Sequence, residues 1–137
     1  MRRKRQLCVE DDLTIRELTD EMKRIKNALE FLLLKHGFRK VSVEMLPELE
    51  YGKEKSYFNY KKLYCEIGFM KLPGHCLKTK KDCIKDCVFI EYYTSIDDAR
   101  SNVSDYEMPL AIDQPIEWIL ETHEKDLLEY NKIINGV

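Results

Sequence analysis

The chain has 137 residues, with 23 Lys and Arg against 25 Asp and Glu, a formal net charge of −2, and an apolar fraction of 44%. That length holds one ordinary hydrophobic core, so a two-domain enzyme, a disordered chain and a bilayer span are all excluded on composition. Five cysteines, Cys8, Cys65, Cys76, Cys83 and Cys87, with no secretory-type apolar stretch after the basic start, predict reduced thiols and a cytoplasmic, non-membrane protein.

In chain order, Met1-Arg2-Arg3-Lys4-Arg5 gives way to Glu10-Asp11-Asp12. Residues 1–12 therefore read as a charged arm, of a kind that often stays disordered, ahead of a single domain that fills the 1–137 chain. A helix is predicted from Thr14, where Thr14 and Glu17 form an S/T-x-x-E capping box. Ile15, Leu18, Met22, Ile25, Leu29 and Leu32 then recur at spacings of three and four, and Gly37 supplies the closing residue after Lys35 and His36. That stripe also reads as a short heptad, but packing on the protein's own sheet is the expectation, as a monomer or small homo-oligomer.

Val41, Val43 and Met45 alternate with polar residues, predicting a strand from about 39 to 46 before Pro47. After a loop at 48–55, the aromatic-rich stretch 57–70 reads as a second strand with Leu63, Cys65, Ile67 and Phe69 on one face, ended by Pro73-Gly74. The near-continuous apolar run 88–93 predicts a third, central strand. Ser95 caps a short helix with Asp97 and Asp98 in its first turn, and Pro115 opens a second long helix that runs to Asn135-Gly136. The predicted class is α+β in two layers: an antiparallel sheet of three to five strands, with two long helices and one short helix packed on one face.

Three features carry chemistry. The segment 74–87, a long hairpin loop in this reading, holds His75, Cys76, Cys83 and Cys87. With Cys65, or with His75 as the alternate ligand, it offers enough donors for a tetrahedral zinc ion, although the spacing departs from a tight C-x2-4-C hook. Buried, inert thiols are the plainer reading, so no cofactor is expected unless zinc is bound. Lys78, Lys80, Lys81 and Lys85 would favour a thiolate there, yet the C-x-x-C of exchange catalysts is missing. No nucleophile elbow, phosphate-cradling glycine loop or paired metal-binding histidines occur, which predicts a protein that is not an enzyme.

The second feature is acidic. Glu91, Asp97, Asp98, Asp105 and Glu107 surround the short helix, with Asn102, Tyr93 and Tyr106 among them, and the chain carries eight tyrosines. Acid residues with amphipathic aromatic anchors suit a surface that meets a protein partner. The third is basic: Arg2, Arg3, Lys4 and Arg5 with Lys78, Lys80 and Lys81 would serve a nucleic-acid-binding regulator, possible with a zinc-stabilised loop.

The stretch Phe89-Ile90-Glu91-Tyr92-Tyr93-Thr94-Ser95-Ile96-Asp97-Asp98-Ala99-Arg100-Ser101-Asn102, followed by Asp105, Glu107 and Leu110 and a last helix, resembles the C-terminal half of small bacterial polymorphic-toxin immunity proteins. Glu91, Tyr92, Ala99, Asn102 and Asp105 match that pattern, and the resemblance spans about residues 88–128. It implies a non-catalytic inhibitor, of toxin-immunity or phage anti-defence type, that covers the functional surface of a toxin, nuclease or defence effector. The expected partner surface is then Glu91, Tyr93, Asp97, Asp98, Asn102, Asp105, Tyr106 and Glu107. Nucleic acid is the alternative partner.

Overall fold

The computed structural model describes residues 3–6, 14–46, 54–76, 81–101 and 103–136, with side chains throughout except at 3–6, 73–76 and 81–83. The chain is α+β, and every strand pairing is antiparallel. In order it forms β1 (Arg3–Gln6), α1 (Asp20–Lys35), β2 (Arg39–Glu44), β3 (Glu54–Tyr60), β4 (Leu63–Cys76), β5 (Lys81–Tyr93), α2 (Ile96–Arg100), β6 (Val103–Tyr106), β7 (Leu110–Ala111) and α3 (Ile116–Asn135). Six strands make one hydrogen-bonded path, β1-β6-β5-β4-β3-β2, and the short β7 pairs with β5 beside β6.

The strand count exceeds the three to five expected, for three reasons. Residues 57–70 are not one strand but the two arms of a hairpin, turned by Lys61-Lys62 without the usual Gly or Asn. The segment 74–87 is not a loop but a continuation of β4 and β5, in register from Tyr64↔Tyr93 to Cys76↔Lys81. Part of the predicted charged arm is strand as well: β1 pairs with β6 in register Arg3↔Tyr106 to Gln6↔Val103.

Pro73 lies inside β4, which sequence alone reads as a stop. The carbonyl of Phe69 points away from β5, accepting from the Ile15 amide at 2.8 Å. Strand groups repeat their direction every two residues, so the Pro73 nitrogen also faces that outer edge and costs the β4–β5 ladder no bond.

α1 begins at Asp20 rather than Thr14. Thr19 is the cap, its Oγ1 accepting from the Met22 amide at 3.2 Å, with Asp20 and Glu21 in the first turn where carboxylates suit the exposed N–H groups. Thr14 instead bridges to Met70 at the sheet edge. The far end closes as predicted, Gly37 taking φ 90° with the ring of Tyr60 lying against it. α3 ends on Gly136 in the left-handed region. A further glycine is fixed by space: a Cβ on Gly68 would stand 2.7 Å from the ring of Phe89, its cross-strand partner.

Alternation divides the sheet into two faces. On the helix side, Met22, Ile25, Leu29 and Leu33 of α1 and Ile119, Leu127 and Tyr130 of α3 pack with Phe58, Leu63, Cys65, Phe69, Val88, Ile90 and Tyr92. The Tyr92 and Tyr130 rings stack there with centroids 3.8 Å apart. The opposite, inner side carries a second cluster of Val43, Met45, Tyr57 and Tyr93 with Ala99 of α2. The short helix therefore does not share the face of the long ones, contrary to the single helix-covered face expected from sequence. It touches β2, β5 and β6. Because β2 and β6 sit toward opposite ends of the strand path, the sheet must curl around α2 for both to reach it.

Candidate functional site

The most organised group of polar side chains lies inside that curl. Glu66 of β4 and Glu91 of β5 are direct cross-strand partners on the inner face. Glu91 is 4% exposed. The Ser104 hydroxyl of β6, itself fully buried, donates to Glu91 Oε2 at 2.7 Å. Glu66 is ion-paired with Lys55 of β3 at 3.2 Å and accepts from the Tyr93 hydroxyl at 3.4 Å. Tyr93 meets the ring of Tyr57 edge-on at 5.2 Å. The Tyr57 hydroxyl donates to the carbonyl of Ala99 at 3.0 Å, which ties α2 to β3.

Burial and then the neighbouring Glu66 push the Glu91 carboxyl up to about 7, against the smaller opposing pull of Ser104, Lys55 and Tyr93. Glu91 thus holds a proton well above the ordinary carboxylate range, while Lys55 balances Glu66. The cluster is close to neutral when assembled. Burial also pushes the Tyr93 phenol upward, with Glu91 and Glu66 adding to it.

Two members of the expected partner surface, Glu91 and Tyr93, are therefore interior residues rather than contact residues; the alternation of β5 turns them into the curl. The others remain nearer solvent. Asp97 is exposed, and Asp98 accepts from the Thr94 hydroxyl at 3.3 Å while its amide donates to Ser95 Oγ at 3.0 Å. Asp105, Tyr106 and Glu107 are half-buried, the Tyr106 ring lying 5.6 Å from that of Phe89, and Met108 beside them is 76% exposed. Asn102 lies outside the described residues.

The four-cysteine zinc set is not assembled. Cys65 and Cys76 stand eleven residues apart on one strand, about 36 Å at ~3.3 Å per residue. Cys65 faces the helix-side core and Cys87 the other side, with its thiol donating to the Lys85 carbonyl at 3.6 Å. Among the described residues no group of three metal-binding side chains comes together, and the side chains of His75, Cys76 and Cys83 lie outside them. Burial pushes both described thiols, Cys65 and Cys87, upward, the reverse of what an activated thiolate needs.

Among the described residues imidazole and sulfur are likewise apart. His36 Nε2 is 2.6 Å from Glu124 Oε2, and this bond, with Lys35 at 3.6 Å, holds the Glu124 carboxyl below its usual range. His123 is buried in α3 and pushed down to about 4 by that burial, against a hydrogen bond with the Val88 backbone. Of the cations expected for nucleic acid, Arg3, Lys4 and Arg5 are in β1 and Lys81 opens β5, while Arg2, Lys78 and Lys80 lie outside the described residues.

Sequence reasoning did not join Lys55, Glu66, Ser104 and Tyr57 to Glu91 and Tyr93. A signal existed: once Leu63, Cys65, Ile67 and Phe69 are placed on the helix side, Glu66 must share the other face with Tyr64, and the same parity puts Glu91 with Phe89 and Tyr93. In comparisons with known proteins, no family model matches the chain, and no curated relative or solved structure matches it either.

Proposed function

We propose that the chain is a non-catalytic protein-binding domain of inhibitor type, comparable in mode to toxin-immunity and phage anti-defence proteins. It covers a functional surface of its partner with the acidic segment that runs from Ser95 to Met108. The observation that carries this reading is how that segment is held from beneath. Ala99 and Ser104 are fully buried, Tyr57 anchors the Ala99 carbonyl, Ser104 is tied to Glu91, and Arg100 Nε donates to the Glu44 carbonyl at 3.0 Å. A surface fixed in advance loses little conformational freedom on binding, which is where preformed interfaces gain affinity. Met108 offers an apolar anchor beside Tyr106 and Glu107, and Asp97 and Asp98 supply charge for steering.

The non-catalytic part of the reading rests on chemistry. The inner carboxyls are balanced by Lys55 and Ser104 rather than aimed outward, and the described thiols and imidazoles are separated from them.

The test is capture of a partner from lysate of the source cells, then titration of that purified protein against the wild type and the Asp97→Lys/Glu107→Lys variant. Binding should weaken by about tenfold or more in the variant, with a melting temperature only slightly lowered by the loss of Asp97 at the start of α2, and in the wild type it should weaken much less steeply with salt than binding to phosphates does. A captured protein that binds the variant as tightly as the wild type removes this surface from consideration.

A further inference from the structure

A separate region of the molecule concentrates charge of the opposite sign. Arg39 and Lys40 open β2 from opposite faces of that edge strand, and Lys61 and Lys62 form the β3–β4 turn; register brings all four to one corner, since Arg39 pairs with Asn59 and the turn begins two residues later. All four are exposed. Among the described residues none of them has a carboxylate partner: Arg39 donates to the Phe38 carbonyl at 3.0 Å, while Lys40 and Lys61 lie over the Phe58 and Tyr60 rings at 6.0 and 5.3 Å. The Glu124 carboxylate of α3 is engaged by His36 and Lys35.

The corner is built on neutral amides. Asn59 Nδ2 donates to the carbonyls of Lys61 at 2.9 Å and Leu63 at 3.1 Å. Asn135, at the end of α3, accepts from the Lys62 amide at 2.9 Å and donates to the Tyr60 carbonyl at 2.8 Å. The turn is thus clamped without neutralising its lysines. Lys61 takes φ 53°, a left-handed position where Gly or Asn would cost less, and it is the only such non-glycine among the described residues. A charged residue held where a smaller one is cheaper points to use of the charge.

We infer that this corner is a docking surface for the phosphodiester backbone of a single-stranded nucleic acid, with Arg39, Lys40, Lys61 and Lys62 meeting phosphates. Exposed cations held on a rigid turn can track the phosphates of a single strand. The four positions carry no apolar side chain that would enter a bilayer, which favours nucleic acid over an anionic membrane. The inference does not depend on the protein-binding surface proposed above, and it uses none of its residues.

The experiment is fluorescence anisotropy of a labelled single-stranded oligonucleotide of about 20 nucleotides, titrated with the full chain. With four phosphate contacts, affinity should fall about fifty-fold between about 50 and 200 mM salt. The Arg39→Gln/Lys40→Gln/Lys61→Gln/Lys62→Gln variant should lose binding at the lower salt, whereas Lys23→Gln/Lys26→Gln on α1 should keep it. Lys61→Asn separates charge from folding: its melting temperature should be equal or higher, yet its salt slope shallower by about 0.7. Absence of binding by the wild type at about 50 mM salt, equal binding by the four-site variant, equal loss in the α1 control, an unchanged slope in Lys61→Asn, or preference for phosphatidylserine vesicles over the oligonucleotide would each overturn the inference.

Discussion

The two faces of the sheet solve the problem of burial in different ways. On the helix side, α1 and α3 press a continuous apolar layer onto β3, β4 and β5, and stability there follows from area and packing. On the inner side, a five-residue helix and the curl of the sheet enclose charged groups, and stability depends on how two carboxyls, one lysine and three hydroxyls are arranged. Volume governs the first face, and on the second the protonation of paired carboxyls is added to it. His123 is the exception that sharpens the contrast, a titratable group set into the helix-covered side and kept neutral by its surroundings.

The largest expected effect is on the apolar face. Leu33→Ala, at a side chain with no exposed surface, should cost roughly 2–5 kcal/mol in urea unfolding, because it removes buried methyl groups and leaves a cavity. A loss below about 1 kcal/mol would show that the helix layer is looser than its packing implies.

Next in size is the proton dependence, in which the two faces should oppose one another. Glu91 releases its proton near 7 when folded and near 4.5 when unfolded, so its contribution is fully present below about 4.5 and is lost as pH rises to about 7. Glu91→Gln should therefore match the wild type in acid and exceed it above pH 7, by up to about 3 kcal/mol. His123 has the reverse sense: folded near 4 and unfolded near 6.5, it costs stability as pH falls between those values. Replacing it by Leu should flatten the acid limb and leave the alkaline limb unchanged. Urea midpoints measured from pH 4 to 8 check both, and a wild-type and Glu91→Gln pair that run parallel across that range would contradict a buried protonated carboxyl.

The smallest effect concerns the brace under α2. Tyr57→Phe keeps the ring and deletes the bond to Ala99, so it should cost about 1 kcal/mol. Its amide-exchange signature should be confined to α2 and β6, since the helix-side core does not use that hydroxyl. Exchange that quickens across α1 as well would mean that the two faces unfold as one unit.

Much of this division could be read in the residues, and the exceptions have physical causes. The α1 stripe from Met22 onward, the α3 helix, the Ser95 cap, the Gly37 and Gly136 closures and the β2 alternation are local signals, and the structure carries each of them, while Ile15 and Leu18 precede α1. The Lys61-Lys62 turn was illegible because its chemistry is not that of a turn; β1, with the sequence RKRQ, has no apolar side chain to mark it and exists only through pairing with β6. Thr14-Glu17 has the form of a cap, but the Ile15 amide is drawn to Phe69 and Thr19 is better followed by acid residues. Glu91 and Tyr93 were visible as unusual residues, yet their partners Lys55, Glu66 and Ser104 come from three other strands, and only tertiary pairing unites them.

Pro73 has one further consequence. Among the described residues β3 is matched to β4 only as far as Cys65, and Thr14 and Ile15 meet the same margin at Met70 and Phe69, so the stretch beyond them would offer a template for another chain. An imino acid facing outward there interrupts the row of donors that an incoming chain would need. The same residue that leaves the internal ladder intact thus removes one donor from a margin where another copy could pair.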